Sequence, residues 1–402
     1  MNAVDLLSGV AVIIDDEINE EAANIRNLVK QVEDNNIPCL YYSEIPTDEV
    51  VSNFGNISFL LLDWRLIKKD ISTEEFEEGI RVPSGLQEYG AEENLQFIEK
   101  LKERCFCPIF IFSNEDQEEI IAKLEEADLY SRERPGNIFV RSKNDLKGRT
   151  RLFKELTKWL NKAPSVYVLK EWEKEYRKAK NELFHDFQDL SPHWPKVLWK
   201  NSSADGVNQS LELGEVISRN LSNRMAPFEF SPEVLEKRGN KIPKEEMANV
   251  LEGERFLPVS RLREEDIAPG DIFKVKSRYY VNIRAACDCI PDRGKMGSTH
   301  DDVEVYLLRG SKLGDAKIYK VFNKKYGHFP ERDNESIVFP VCGGLSVSFS
   351  FKNVEVKKWG EVKDKRVGRL LAPHITKIQQ RYALYMQRQG LPRIPNAAVI
   401  DN

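Results

Sequence analysis

Cysteine is scarce in this chain: there are six in 402 residues, four of them in two C-x-C pairs. That scarcity argues against a disulfide-stapled secreted scaffold. Histidine is equally rare, with five. No apolar run is long enough to span a bilayer, and the opening "MNAVDLLSG" lacks the basic stretch that begins a signal peptide. These absences predict a cytoplasmic protein. There is no internal repeat and no low-complexity segment, and residues 163–402 show neither a nucleophile–base pair nor a glycine-rich phosphate loop.

The composition is that of a globular protein, 41% hydrophobic and 31% charged, and the length suits two or more domains. A net charge of −5 conceals an asymmetry. Residues 1–150 carry 31 acidic against 16 basic side chains, whereas residues 151–402 carry 34 against 44. Two parts with different surfaces are expected, which could also simply attract each other.

The first part alternates strictly. "VAVII" (10–14), "IPCLYYS" (37–43), "ISFLLLD" (57–63), "CPIFIFS" (107–113) and "NIFVR" (137–141) read as strands. Helix-spaced apolar residues separate them, as in Ile25, Leu28, Val29 and Val32, or Leu95, Phe97, Ile98 and Leu101. Continuous apolar strands alternating with amphipathic helices predict a parallel α/β sheet covered on both faces. Residues 163–254 read as a helical connector followed by a charged, proline-bearing linker. Residues 255–402 have a β texture, with turn signals such as Pro269-Gly270, and close on a helix that Pro373 opens. Trp172, Trp194 and Trp199 are expected in the core.

Polar residues collect where the strands of the first part end: Asp15 and Asp16, then Asp63, then Ser113, then Arg141 and Lys143. Ligands of open parallel sheets sit outside these ends. Three carboxylates brought within a few ångströms cannot all stay ionised without a compensating cation. Oxygen-only donors of this kind suit Mg²⁺. A hydroxyl and an ammonium complete a site able to hold a phosphoryl group.

"VIIDDE", "LLLDWRL", "PIFIFS" and "IFVRSK", in this order, resemble the four motifs of the receiver domain of two-component response regulators. The resemblance covers residues 10–160. It implies a five-stranded, doubly wound, flavodoxin-like receiver domain over residues 1–162; the remaining sequence resembles no output family, and its pattern reads as a helical connector and linker over 163–254 and a β-rich α+β output domain over 255–402. The receiver resemblance further implies that Asp63 accepts a phosphoryl group, and that Asp15, Asp16, Asp63 and the backbone carbonyl of Arg65 hold Mg²⁺. Ser113 would bond the phosphoryl oxygen and Lys143 would neutralise its charge. The phosphodonor would be a histidine kinase or a phosphotransfer protein.

The sequence departs from the family in several places. Asn144 follows the lysine where a proline is usual, Asn114 replaces a small residue, and Val140 or Ile138 fills a position that is usually aromatic. Arg141 competes with Lys143 for the basic role. Residues 67–94 make a long acidic insertion after Asp63, either a lid or partner surface beside the site or an inert loop. A phosphate sink or an unphosphorylated scaffold is the alternative function, as is a gated enzyme or nucleic-acid binder in the C-terminal part. There, the basic residues around Tyr382 and Tyr385 could meet nucleic acid, although Ile375, Ile378, Tyr382 and Tyr385 read better as a packing stripe. That part most readily acts through a protein partner. Cys287, Cys289, His300 and Cys342 could form a zinc site, but buried thiols fit the spacing better.

Overall fold

The computed structural model describes residues 2–20, 25–66, 84–133, 136–146, 151–205, 208–225, 227–236, 242–291, 298–330, 332–389 and 398. The chain divides into two compact units, one of residues 1–194 and 214–238, the other of residues 195–213 and 239–402. No helix among the described residues is long and apolar enough to cross a membrane.

The first unit is built on five parallel strands: β1 (Ala11–Ile14), β2 (Cys39–Tyr42), β3 (Phe59–Leu62), β4 (Ile109–Ser113) and β5 (Ile138–Ser142). They lie in the order β2-β1-β3-β4-β5, the flavodoxin-like doubly wound arrangement. The continuous apolar runs of β1, β3 and β4 are explained by burial on both faces, whereas the edge strand β2 leaves Leu40 and Tyr41 exposed. Ala11 and Ile13, Phe59 and Leu61, and Phe110 and Phe112 point into one core, formed with α1 (Ala3–Leu6), α2 (Ile25–Glu33), α6 (Arg151–Leu160) and the start of α7 (Pro164–Leu190). The alternate residues Val12 and Ile14, Leu60 and Leu62, and Ile109 and Ile111 point into the other. That second core is closed by α3 (Asp48–Val51), α4 (Ser84–Arg104) and α5 (Gln117–Glu126).

Three local expectations change. Residues 84–94, read as part of the insertion, belong to α4, while residues 67–83 lie outside the described residues. Trp172 and Trp199 are not core residues: they are 41% and 46% exposed, on α7 and on α8 (Trp194–Asp205). The apolar stripe of α7 that is buried instead runs through Val166, Tyr167, Ala179 and Leu183. After α9 (Gln209–Met225), two of the prolines read as linker punctuation turn out to open helices. Pro232 begins α10 (Pro232–Leu235), and Pro243 caps α11 (Lys244–Arg255). A proline fits there because the first helical N–H groups have no partner within the helix.

The second unit carries an antiparallel sheet of seven strands. These are β6 (Phe256–Pro258), β7 (Asp271–Val275), β8 (Arg278–Asn282), β9 (Glu304–Lys312), β10 (Glu335–Val341), β11 (Leu345–Lys358) and β12 (Arg366–Leu370). They lie in the order β10-β11-β9-β8-β7-β12-β6. The short helices α12 (Asp315–Val321) and α13 (Trp359–Val362) sit between strands in the chain, and α14 (His374–Gln387) follows β12. α14 packs as its stripe predicts: Ile375 and Ile378 are buried, and Tyr382 and Tyr385 lie 6.2 and 5.8 Å from the ring of Phe351. α11 is different, with no buried residue. Its attachment is polar: Glu252 accepts the backbone N–H groups of Gly343 and Gly344, and Arg255 donates to the carbonyl of Phe339.

Candidate phosphoryl and metal site

The strand register assembles the site. Ile14 is paired with Leu62, so Asp15 and Asp63 leave the sheet side by side. Each is tied to the neighbouring strand by its own N–H, Asp15 to the carbonyl of Tyr42 and Asp63 to that of Ile14. β1 and β3 are the pair at which the strand order reverses, where ligands of doubly wound sheets bind. Ser113 is paired with Ser142, which brings Lys143 out of β5 at the same edge.

Lys143 is the centre of the cluster. Its Nζ donates to Asp15 Oδ2 and to Asp63 Oδ2, each at 2.7 Å. Asp15, Asp63, Ser113 and Lys143 are all buried, and Asp16 is half-buried. The free edges of the carboxylates are held by backbone: Glu17 N–H donates to Asp15 Oδ1, and Arg65 N–H to Asp63 Oδ1. Ser113 Oγ accepts the N–H of Glu115 at 3.3 Å. Of the two basic candidates, Lys143 reaches the carboxylates, while the guanidinium of Arg141 lies over the ring of Phe139.

Burial dominates the electrostatics. It pushes the Asp63 carboxyl up to about 7, against the pull of the Lys143 ammonium and with help from the charge of Asp15. Burial also disfavours the Lys143 ammonium, but Asp63 and Asp15 together outweigh it and raise its pKa.

The donor set fits a hard cation. Asp15, Asp16 and Asp63 each bring a carboxylate oxygen within 4.8 Å of the others, the one such group of metal-binding side chains among the described residues. Three carboxylates against one ammonium leave an excess of negative charge that a divalent ion balances. Cys287, Cys289, His300 and Cys342 form no comparable group among the described residues.

One contributor was not anticipated. Asn94 of α4 is fully buried, and its Nδ2 donates to the carbonyl of Trp64, one residue beyond Asp63. It pins the turn that leaves the site, and its Oδ1 has no hydrogen-bond partner. A polar residue on a helix, preceded by Glu92 and Glu93, gives no sign of burial in the sequence.

No family model matches the chain, and no curated protein matches it. Among solved structures it is similar to a fusion built on the yeast Spc42 trimeric coiled coil, at 10% identity, over 46% of this chain and 96% of that one. The TM-score of 0.24 is too low for that likeness to bear on the fold.

Proposed function

We propose that residues 1–162 act as the receiver module of a two-component response regulator, with Asp63 as the phosphoacceptor. What carries this reading is the placement of Asp63 at the switch point of a parallel sheet, between two further carboxylates and a buried lysine. An Asp63 oxygen attacks the phosphorus of a phosphohistidine or a small acyl phosphate. The bond from phosphorus to the donor breaks, and the leaving group takes the electron pair. Lys143 turns from the carboxylates to the incoming phosphoryl oxygens, and Ser113 donates its hydroxyl proton to one of them. Asp15, Asp16, Asp63 and the carbonyl of Arg65 would hold Mg²⁺, which would supply positive charge to the phosphoryl group.

The partner at this edge is a histidine kinase or phosphotransfer protein, which places the chain in the cytoplasm. The product adds charge beside Lys143 and so redraws the contacts that Lys143 and Ser113 make. That is a local electrostatic change able to bias a two-state element. The second unit then passes the change on through protein contacts.

The test is incubation with Mg²⁺ and acetyl phosphate, followed by intact mass. One phosphoryl adduct is expected on the native chain and none on Asp63→Ala. An unmodified native chain, or an adduct that survives in Asp63→Ala, refutes the proposal.

A further inference from the structure

The segment joining β9 to β10 takes no part in the Asp63 site, yet it has a distinctive chemistry. Residues 315–330 carry Lys317, Lys320, Lys324 and Lys325, all exposed, against a single acid, Asp315. Five rings are interleaved with them: Tyr319, Phe322, Tyr326, His328 and Phe329.

The rings fall into two sets. Phe322 meets Phe329 edge-on at 5.4 Å, and Phe329 meets Phe339 of β10 at 6.4 Å, which roots the segment on the edge strand of the sheet. Tyr319 and Tyr326 instead face outward, 70% and 65% exposed. The turn that presents Tyr326 is built rather than loose. Asn323 Oδ1 accepts the N–H groups of Lys325 and Tyr326, Asn323 bridges to His328, and Gly327 takes the positive φ of +66° that closes it. The rings of Tyr326 and His328 are stacked, 12° apart in plane. Lys325 Nζ lies 5.0 Å from the centre of the Tyr326 ring, and Lys324 Nζ lies 4.0 Å from that of Tyr319.

Flat aromatic rings held in water beside exposed ammonium groups match one polymer well. Its repeating unit joins a flat π-surface to a phosphate. We propose that residues 315–328 form a docking site for single-stranded nucleic acid, with bases stacked on Tyr319 and Tyr326 and phosphates against Lys317, Lys320, Lys324 and Lys325. A duplex hides its base faces and offers only the phosphates, so the single strand is preferred. An acidic peptide would answer the lysines and leave the rings in water. The site is independent of what occupies the Asp63 edge.

The experiment is fluorescence anisotropy of labelled oligouridylate and oligothymidylate with the full chain over a range of salt concentrations. Saturable binding is expected to one or both, weakening as salt rises. Tyr319→Ala with Tyr326→Ala should weaken it by roughly 10-fold or more, since each stacked base is worth about 5- to 100-fold. Lys324→Glu with Lys325→Glu should weaken it further and flatten the salt dependence. All four residues are exposed, so the circular dichroism and melting temperature should match those of the native chain.

Several results would overturn the proposal. They are no saturable binding to either oligonucleotide, binding undiminished in both double variants, or duplex bound as tightly as single strand. Arg388, which caps α14 with its guanidinium 3.9 Å from the centre of the Tyr385 ring, is the control: loss on Arg388→Glu alone would move the site to the C-terminal helix and also overturn the proposal. So would capture by phosphatidylserine vesicles without capture of either oligonucleotide.

Discussion

Lys143 shares one buried ammonium between two carboxylates. Removing a partner from such a buried cluster typically costs about 3–5 kcal/mol, because the charges left behind lose their compensation. Lys143→Ala should therefore lower stability by about 3 kcal/mol at pH 8 in urea denaturation. The loss should be smaller at pH 5, where a proton on Asp63 relieves the remaining repulsion. An equal loss at both values would show that the carboxylates do not sense each other. The native chain has a pH dependence of its own. The folded value of about 7 for Asp63 stands above its ordinary value of 3.8. Between these limits the folded state keeps a proton that the unfolded state releases. Stability should thus fall as pH rises from about 4 to about 7, by at most about 1.4 kcal/mol per pH unit. Saturating Mg²⁺ should flatten the fall, and a profile that rises through this window contradicts the assignment. Asp15, Asp63, Ser113 and Lys143 were legible in the sequence because each stands at a strand end, where apolar burial gives way to the ligand edge. Asn94 was not, since its importance comes from a backbone carbonyl 30 residues away.

Among the elements, the parallel strands were the most legible, because in β1, β3 and β4 burial on both faces leaves no polar position inside the run. The antiparallel sheet was harder to read. β12 reads "RVGRL", and its arginines suggest surface. In the fold, Arg366 is buried over the ring of Trp359, and Arg369 donates to the fully buried Asp271 of β7. A charge paired across strands looks in the sequence like a charge in water. β6 escaped notice because three residues are too few to show a period. The beginning of α4 was hidden by its lack of a regular apolar stripe before Ala91. The turn at Pro269-Gly270, by contrast, was visible and is now explained. Gly270 has a φ of +92°, and a Cβ there would lie 2.1 Å from the carbonyl oxygen of Leu370. Gly270→Ala should cost at least about 2 kcal/mol through strain and backbone displacement. The unfolding midpoint of the second unit measures it, and a neutral outcome would mean that β7 and β12 can separate without penalty.

For the molecule as a whole, the charge asymmetry of the sequence has a counterpart in chemistry. The acidic first part holds the carboxylate cluster, and the basic second part presents the lysine-bearing turn. A cation bound only by the folded first unit must stabilise it by mass action. The gain is about 2.7 kcal/mol at a free ion concentration 100 times the dissociation constant. Calorimetry should show a transition that Mg²⁺ raises and a chelator restores, with the shift lost in Asp63→Ala. A shift of equal size in that variant would assign the ion to another site. The division into two units was legible only in outline. Composition reveals a change of surface, but not which stretches of the intervening helices join which core.

The polar attachment of α11 has a consequence of its own. A helix with no fully buried side chain has little apolar contact to lose when it lifts away, so its amides can exchange with solvent while those of the sheet stay protected. Val250 is already 72% exposed, and Met247 and Leu251, at 46% and 38%, have only part of their surface to uncover in the process. Glu252→Ala should therefore speed hydrogen exchange across α11 and leave β9 and β11 unchanged. If the sheet amides accelerate in step, the helix is a structural member of the sheet. If they do not, α11 is a hinged cover over the β10–β11 turn, held shut by the Glu252 carboxylate and the Arg255 guanidinium.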